Sequence, residues 1–227
     1  MDNTSTPTPL IVTGMHRSGT SLLGRILISL GVHMGKDLSI NTESRLFRSI
    51  NEKLLYNYGS DWSRPAKAIQ AMHSDYQVEK AAKIISQTLE NTRADKYGGP
   101  PAREQTFFPK STSEYWGWKD PRTLLFLPAW KAVYPDARFI YIVRNGIDVA
   151  LSLHVRANKH KQLWKRFSPI HNYRREMFDL SKCFSLWEEY TSFSEGLINS
   201  LASNSYISLR YESLLSNPRK EIECISS

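Results

Sequence analysis

The hydrophobic and polar positions of this chain alternate between short continuous apolar runs and longer runs with helical spacing. "LIVTG" at 10–14 predicts a buried strand. The run at 20–30 predicts a helix with five apolar side chains on one face: Leu22, Leu23, Ile26, Leu27 and Leu30. The chain is therefore expected to open with a strand, a glycine turn and a helix.

Two further helices are predicted before the middle of the chain. One begins near Asn41 or Thr42 and repeats apolar residues at four-residue spacing, at Leu46, Ile50 and Leu54. The next begins after Ser74 as its N-cap and carries Val78, Ala81, Ile85 and Leu89. "YGGPPAREQTFFP" at 97–109 then breaks the pattern with glycines and prolines, which favours a surface loop that could act as a lid.

The second half repeats the strand and helix rhythm. "YWGWKDPRT" predicts a short aromatic strand followed by a helix that has Pro121 in its first turn and extends towards Trp130. "ARFIYIVRN" is the clearest buried strand, and it ends at Arg144 before a helix. The remaining predicted elements are an amphipathic helix at 180–199, a strand "YISLR" and a last helix opened by Asn217-Pro218.

Strands that alternate with helices in this way predict an α/β fold with a parallel sheet, helices on both faces and right-handed crossovers. Ligands of such sheets bind at the carboxyl ends of the strands. The junctions at Gly14, Lys119 and Arg144 should therefore meet on one rim.

Composition limits the classes of function. A chain of 227 residues with 41% hydrophobic residues can bury one core, which favours one domain. The formal net charge of +8 suggests an anionic partner, but the 30 basic residues are scattered among 22 acidic ones, so nucleic acid is not favoured. Cys183 and Cys224 are too few and too far apart for a disulfide framework or a zinc ribbon, which favours a reducing compartment.

Targeting signals are also not apparent from the sequence. The polar start "MDNTSTPTP" does not resemble a signal peptide, and the best apolar stretch, "LLGRILISLGV", is interrupted by Arg25. We therefore expect a cytoplasmic protein without a transmembrane segment.

The segment "GMHRSGTS" at 14–21 has the outline of a phosphate-binding loop. Backbone amides of a tight glycine turn at a helix start can bind an anion. A nucleoside-triphosphate enzyme would carry lysine where Thr20 stands and an acidic residue at the end of a neighbouring strand, where Arg144 stands. These differences point to a less charged phosphate group and no metal. A phosphoryl-transfer enzyme of the kinase type and a purely structural turn remain alternatives.

Four segments in this order resemble the sulfotransferase family. They are "GMHRSGTSLLGRIL", "WGWKDPRT", "YIVRNGIDVALSLH" and "LRYESLLSNP", and they extend from residue 14 to residue 218. The resemblance is to the bacterial-type and tyrosylprotein-like branches. It implies an α/β, P-loop-containing nucleotide hydrolase-like fold of three layers, with a central parallel β-sheet flanked by helices. The implied donor is 3′-phosphoadenosine 5′-phosphosulfate (PAPS), with 3′,5′-adenosine bisphosphate (PAP) as the product and no metal.

The resemblance also implies the donor-binding residues. The 5′-phosphate would be surrounded by the glycine loop, through Gly14, Arg17, Ser18, Gly19, Thr20 and Ser21. The 3′-phosphate would be held by Arg144 and Ser152, by a charge-assisted contact and a hydroxyl contact. Tyr211 would lie near the adenine.

Three catalytic residues are implied as well. Arg17 and Lys119 would neutralise charge on the leaving and transferred groups. Glu43 would accept the proton of the acceptor, although the family usually has glycine and an aromatic residue directly before this glutamate and this chain has Asn41-Thr42. The alternatives for the base are His33, Asp37 and Asp61, and Glu43 could instead interact with a helix dipole.

The expected organisation is a disordered tail at 1–8 and a single sulfotransferase-like domain at 9–227 that lacks the C-terminal closing loop usual in the family. The expected function is sulfuryl transfer to a hydroxyl or amine of a carbohydrate, a peptide tyrosine or a small molecule. A non-catalytic relative that binds PAP or PAPS is a further alternative. The basic run at 156–167 could guide an acidic acceptor, although a solvated face explains it as well.

Overall fold

A computed structural model describes residues 8–92, 115–164 and 175–226. Its centre is a four-stranded sheet in the order β2-β1-β3-β4. The strands are β1 (Pro9–Thr13), β2 (Trp116–Lys119), β3 (Arg138–Val143) and β4 (Tyr206–Arg210). All three strand pairs are parallel, as the alternation of elements predicted.

Each strand is followed by helical segments. They are α1 (Thr20–Ser29), α2 (Arg45–Asn57), α3 (Ala66–Ala71), α4 (Asp75–Glu90), α5 (Leu127–Val133), α6 (Gly146–Trp164), α7 (Leu180–Ser200), α8 (Tyr211–Ser216) and α9 (Pro218–Ser226). Two 3-10 helices, Pro121–Phe126 and Arg175–Phe178, precede α5 and α7.

The sheet has a hydrophobic core on each face. Alternate strand residues point to opposite faces, so Ile11 and Phe139 belong to one core while Val12 and Ile140 belong to the other. The larger core also contains residues of α2, α4, α5, α6 and α7. The smaller core contains residues of α1 and α8, with α9 packed against it. The predicted three-layer α/β architecture is confirmed.

Aromatic side chains fill the larger core beside β2. Trp118 is fully buried and stacks on Phe47 with ring centroids 3.9 Å apart. The ring of Trp130 is tilted against the rings of both residues, with its centroid 4.8 Å from that of Trp118 and 5.7 Å from that of Phe47. Trp116 is also buried. The end of β2, which carries Lys119, is therefore fixed by α2 and α5.

The second helix begins later than the sequence pattern predicts. It starts at Arg45 and not near Asn41, because Thr42 has a positive φ of 60° that a helix cannot include. The carboxylate of Asp37 instead accepts hydrogen bonds from Ser44 Oγ at 3.0 Å and Leu46 N at 2.8 Å. This side chain caps the helix start, so residues 38–44 form a separate turn that carries Glu43.

Other differences are smaller. Leu30 follows the end of α1 and is exposed, while Leu23 and Leu27 are buried as predicted. The helix expected from Pro121 begins as a 3-10 helix, and α3 and α8 were not predicted. Helix α4 begins directly after Ser74, and α7 ends one residue beyond the predicted range.

Some expectations lie outside the described residues. These are the tail at 1–8 apart from its last residue, the lid at 97–109 and the end of the basic run at 156–167. Within the described ranges, no helix combines the length and the apolar character needed to cross a bilayer.

Candidate active site

The glycine loop joins the end of β1 to the start of α1. Gly14 and Gly19 have φ values of 149° and 97°, and a Cβ on Gly14 would collide with the carbonyl oxygen of Ile142 on β3. Arg17 also has a positive φ, of 73°. This conformation costs a non-glycine residue about 1–3 kcal/mol and persists only where the surroundings fix it. The loop therefore has a defined shape that holds Arg17 in an uncommon conformation.

This loop is suited to binding an anion. Helix α1 begins at Thr20 with no acidic residue in its first turn, and the first amides of a helix have no intrahelical acceptor. Ser18 is fully buried, and its hydroxyl has no hydrogen-bond partner among the described residues. Since a buried hydroxyl without a partner is costly, Ser18 and the α1 amides together favour a bound phosphate.

Two side chains that are distant from the loop in sequence, Ser152 and Arg144, form hydrogen bonds with it. Arg17 Nε donates a hydrogen bond of 2.8 Å to Ser152 Oγ on α6. Arg144, directly after β3, donates from Nη1 to the carbonyl oxygen of Arg17 at 3.3 Å. The structure thus brings together three residues that the sequence predicted to hold the donor. Ser152 lies beside the guanidinium of Arg17.

Tyr211 completes this group from α8. The guanidinium carbon of Arg144 lies 4.5 Å from the centre of the Tyr211 ring, in a cation–π contact. The same ring packs on Gly19 so closely that any Cβ there would collide with it. Tyr211 therefore lies between the loop and Arg144, and Gly19 is required for this packing as well as for its positive φ.

Arg144 is held by the elements around it. Its carbonyl oxygen accepts from Trp187 Nε1 at 3.1 Å, and its Nη2 lies 3.4 Å from Asp148 Oδ2. Glu212 Oε1 accepts from Asn145 N at 2.8 Å. Burial alone would raise the pKa of Glu212, but the bond from Asn145 and the nearby arginines lower it below its ordinary value. Glu212 is therefore an anionic acceptor for the amide next to Arg144.

Lys119 approaches the loop from the end of β2. Its side chain is 1% exposed, and Nζ lies 3.4 Å from Ser21 Oγ and 3.4 Å from Glu43 Oε1. Burial lowers the pKa of Lys119, although Glu43 and Asp120 oppose this shift. Lys119 is thus a buried basic side chain directly beside the start of α1, on the rim where the sequence predicted it.

Glu43 lies among cations. Its Oε1 faces Lys119, and its Oε2 lies 3.8 Å from Arg122 Nη1 and 3.9 Å from Arg48 Nη1. The residue is 6% exposed. Both carboxylate oxygens therefore already face a positive charge.

Asp120 and Arg122 belong to the same buried cluster of charged side chains as Glu43 and Lys119. Asp120 Oδ1 accepts from Arg122 Nη1 at 2.7 Å and caps the 3-10 helix through Arg122 N at 3.1 Å. Burial alone would lower the pKa of Arg122, but Asp120, Glu43 and Glu52 raise it above its ordinary value. Arg122 therefore stays charged across the ordinary pH range.

Sequence reasoning missed Asn51. Its Nδ2 donates to Asp120 Oδ2 and Thr123 Oγ1, each at 2.9 Å, and its Oδ1 accepts from Trp130 Nε1 at 2.8 Å. A signal was present, because Asn51 lies on the apolar face of α2, one turn after Phe47. A polar residue at such a position needs partners that are buried with it.

The alternatives to Glu43 as base have other positions. Asp37 caps α2, as described above. Asp61 accepts from Ser63 N at 2.9 Å and pairs with Arg64 at 3.6 Å. The backbone of His33 forms an isolated β-bridge with Trp116 at the amino end of β2. This end of the strand is opposite the rim that carries Lys119.

Comparisons with known proteins identify the family of this chain and proteins of similar fold. The sequence profile of the sulfotransferase family matches residues 9–227. No curated protein matches this chain by sequence. Solved structures of similar fold include sulfotransferases and sulfotransferase domains, at 11% to 17% sequence identity.

Three of these structures illustrate the likeness. The sulfotransferase domain of the Synechococcus PCC 7002 olefin synthase has a TM-score of 0.58 and 17% identity, over 99% of this chain and 74% of that one. The sulfotransferase from Alicyclobacillus acidocaldarius has a TM-score of 0.54 and 11% identity, over 98% and 81%. The sulfotransferase domain from the curacin biosynthetic pathway has a TM-score of 0.52 and 14% identity, over 97% and 73%.

Proposed function

This chain belongs to the sulfotransferase family, and we propose that it transfers a sulfuryl group from PAPS to a hydroxyl or amine of an acceptor. The observation that carries the proposal is the meeting of three basic residues from distant parts of the chain at one glycine loop. Arg17 belongs to the loop, Arg144 donates to its backbone, and Lys119 lies 3.4 Å from Ser21 Oγ.

The loop would bind the 5′-phosphate of the donor. Gly14 and Gly19 give the turn its shape, the amides of Thr20 and Ser21 lie at the helix start, and the buried hydroxyl of Ser18 is an available donor. The loop therefore forms one compact anion site, and Thr20, not a lysine, follows its second glycine. A single phosphate that carries sulfate fits it better than a triphosphate with magnesium.

The 3′-phosphate would be bound beside the loop. Arg144 offers a guanidinium fixed on the Tyr211 ring, and Ser152 offers a hydroxyl held by Arg17 at 2.8 Å. A planar guanidinium with several N–H donors is well suited to a phosphate. Tyr211 itself is the residue that we propose to lie near the adenine.

Catalysis would then consist of charge stabilisation and one proton transfer. The acceptor oxygen or nitrogen attacks sulfur in line, while the bond from sulfur to the 5′-phosphate oxygen breaks and its electrons leave with PAP. Arg17 and Lys119 would stabilise the charge that develops on the leaving and transferred oxygens. Glu43, the base expected from the sequence, already faces Lys119 and Arg122, so in this proposal its first task is to position Lys119.

Two alternative functions can be distinguished from sulfuryl transfer by experiment. A kinase-like enzyme would require ATP and magnesium, and Thr20 and Arg144 stand where such an enzyme has a lysine and an acidic residue. A non-catalytic relative would bind PAP but turn over no acceptor. The acceptor classes in our proposal are a carbohydrate, a peptide tyrosine and a small molecule, and the proposed compartment is the cytoplasm.

Ligand-induced thermal stabilisation separates the first rival from our proposal. PAP should raise the melting temperature of the wild type, because a ligand that binds only the native state stabilises it by mass action. ATP with magnesium should have a much smaller effect. Arg144→Ala should lose most of the shift given by PAP.

Arg138→Ala is the matched control, since Arg138 is an exposed arginine at the opposite end of the same strand. It should keep the full shift. Stabilisation by ATP with magnesium alone, with no difference between the two variants, would rule out the donor that we propose.

A further inference from the structure

His16 lies in the glycine loop, two residues after Gly14, and is not among the proposed ligands of the donor. The side chain is 8% exposed, and Nε2 is buried without a hydrogen-bond partner among the described residues. Its ring lies 4.8 Å from the ring of Trp62. A buried nitrogen without a partner is costly, so it needs a reason.

The charged groups that act most strongly on His16 are cations. Arg17 is its neighbour in the loop, Lys119 and Arg122 lie at the end of β2 and on the 3-10 helix, and Arg156 lies on α6. Burial first, and then these cations, lower the pKa of His16 well below its ordinary value. The ring is therefore neutral at pH 7 and keeps a lone pair.

A neutral imidazole keeps a lone pair with which it can accept a proton. Histidine is the side chain most often used for this task. The carboxylate oxygens of Glu43 already face Lys119, Arg122 and Arg48, whereas Nε2 of His16 has no hydrogen-bond partner in the part of the chain that the structure describes. The geometry thus distinguishes a group that holds Lys119 from a group that can accept a proton.

We propose that His16 Nε2 contacts the acceptor hydroxyl and takes its proton during sulfuryl transfer. This inference rests on the proposed function and adds to it the proton acceptor. The acceptor O–H bond breaks, its proton binds Nε2, the oxygen forms the new bond to sulfur, and PAP leaves with the electrons of the old bond. The imidazolium then returns the proton to solvent.

The test compares two phenols that differ in their need for a base. At mildly alkaline pH 4-methylphenol keeps its proton, whereas 4-nitrophenol is largely ionised and needs no base. With His16→Gln, transfer to 4-methylphenol should fall by about 10²-fold or more, within the range of general-base contributions. Transfer to 4-nitrophenol should fall much less. His73→Gln, at an exposed histidine, is the control and should change neither rate.

The pH dependence gives a second readout. The rate with 4-methylphenol should fall on acidification only below the ordinary histidine range of about 6.5, because the base must be neutral and its pKa is lowered. His16→Gln should lack this limb. Equal losses with both phenols, or a phenol-dependent loss in Glu43→Gln and not in His16→Gln, would overturn the proposal.

The protonation state of His16 can also be measured without turnover, by nitrogen-15 NMR of the histidines in the PAP complex. His16 Nε2 should be unprotonated at pH 7, and a protonated Nε2 would overturn the proposal. Binding of PAP is also the check on the donor site. If wild type and His16→Gln both fail to bind PAP, the proposed function fails; if both bind it, the remaining readouts concern His16 alone.

Discussion

Replacing Lys119 by methionine should reduce sulfuryl transfer by about 10²–10³-fold, the usual cost of removing one fixed charge-stabilising donor. Lys119 is 1% exposed, and its ammonium lies at the start of α1, where the loop would place the transferred group. A charge is worth more there than in water, because the site excludes solvent. Methionine keeps the length and the apolar stem but removes the charge.

Two assays separate this effect from a loss of binding. PAP affinity, measured by calorimetry, should change by less than about tenfold, because the phosphates are assigned to the loop and to Arg144. Lys83→Met, at an exposed position of α4, is the control and should retain both properties. Full activity of Lys119→Met would remove Lys119 from the mechanism.

Glu43→Gln should destabilise the protein by about 3–5 kcal/mol, because removing one partner of a buried ion pair leaves an uncompensated charge. Glu43 is the carboxylate that faces both Lys119 and Arg122, at 3.4 Å and 3.8 Å. It also opposes the fall in the pKa of Lys119 that burial causes. Without it, the pKa of Lys119 should fall further.

Urea unfolding of Glu43→Gln at several pH values measures this effect. The pKa of Lys119 is lower in the folded than in the unfolded state, so the unfolded state binds more protons between the two values and stability rises with pH there. The variant should therefore recover part of its loss as the pH approaches the ordinary lysine pKa of about 10.4.

Glu52→Gln is the matched control for this experiment. Glu52 lies 2.9 Å from Arg48 and 3.6 Å from Arg122, but its side chain is 46% exposed, so we expect a loss of about 0–1 kcal/mol. Equal losses for Glu43→Gln and Glu52→Gln would contradict the importance assigned to burial of the Glu43 pair.

The elements that the sequence predicted well are those whose pattern reflects local geometry. β3 was recognisable because it is a continuous apolar run, and α4 and α7 because apolar residues recur at helical spacing. The start of α2 was not predictable in this way. It depends on Asp37, which caps the helix from outside the turn, and on the positive φ of Thr42.

Part of the site could also be predicted from the sequence. Arg144 and Ser152 are eight residues apart, and the six helical steps from Gly146 to Ser152 rise about 9 Å. In the structure Ser152 lies beside Arg17, which donates a hydrogen bond of 2.8 Å to it, and both remain proposed ligands of the donor. Motif spacing predicted which residues approach the loop but could not predict that contact.

The residues that sequence reasoning missed depend on contacts between distant segments. Asn51 is an ordinary helical asparagine until Asp120 and Trp130 are placed against it. His16 is an unremarkable loop histidine until burial and four cations surround it. Such environments arise from packing, so no spacing rule along the chain reveals them.

Release of PAP from PAPS, in the presence of EDTA and a mixture of phenol, saccharide and tyrosine-peptide acceptors, tests the central claim most directly. Wild type should release PAP without added metal and label an acceptor with sulfur-35 from the donor, while Lys119→Met should do so about 10²–10³-fold more slowly. An intact donor after prolonged incubation with wild type, together with magnesium-dependent transfer of phosphorus-32 from the γ-position of ATP, would contradict it.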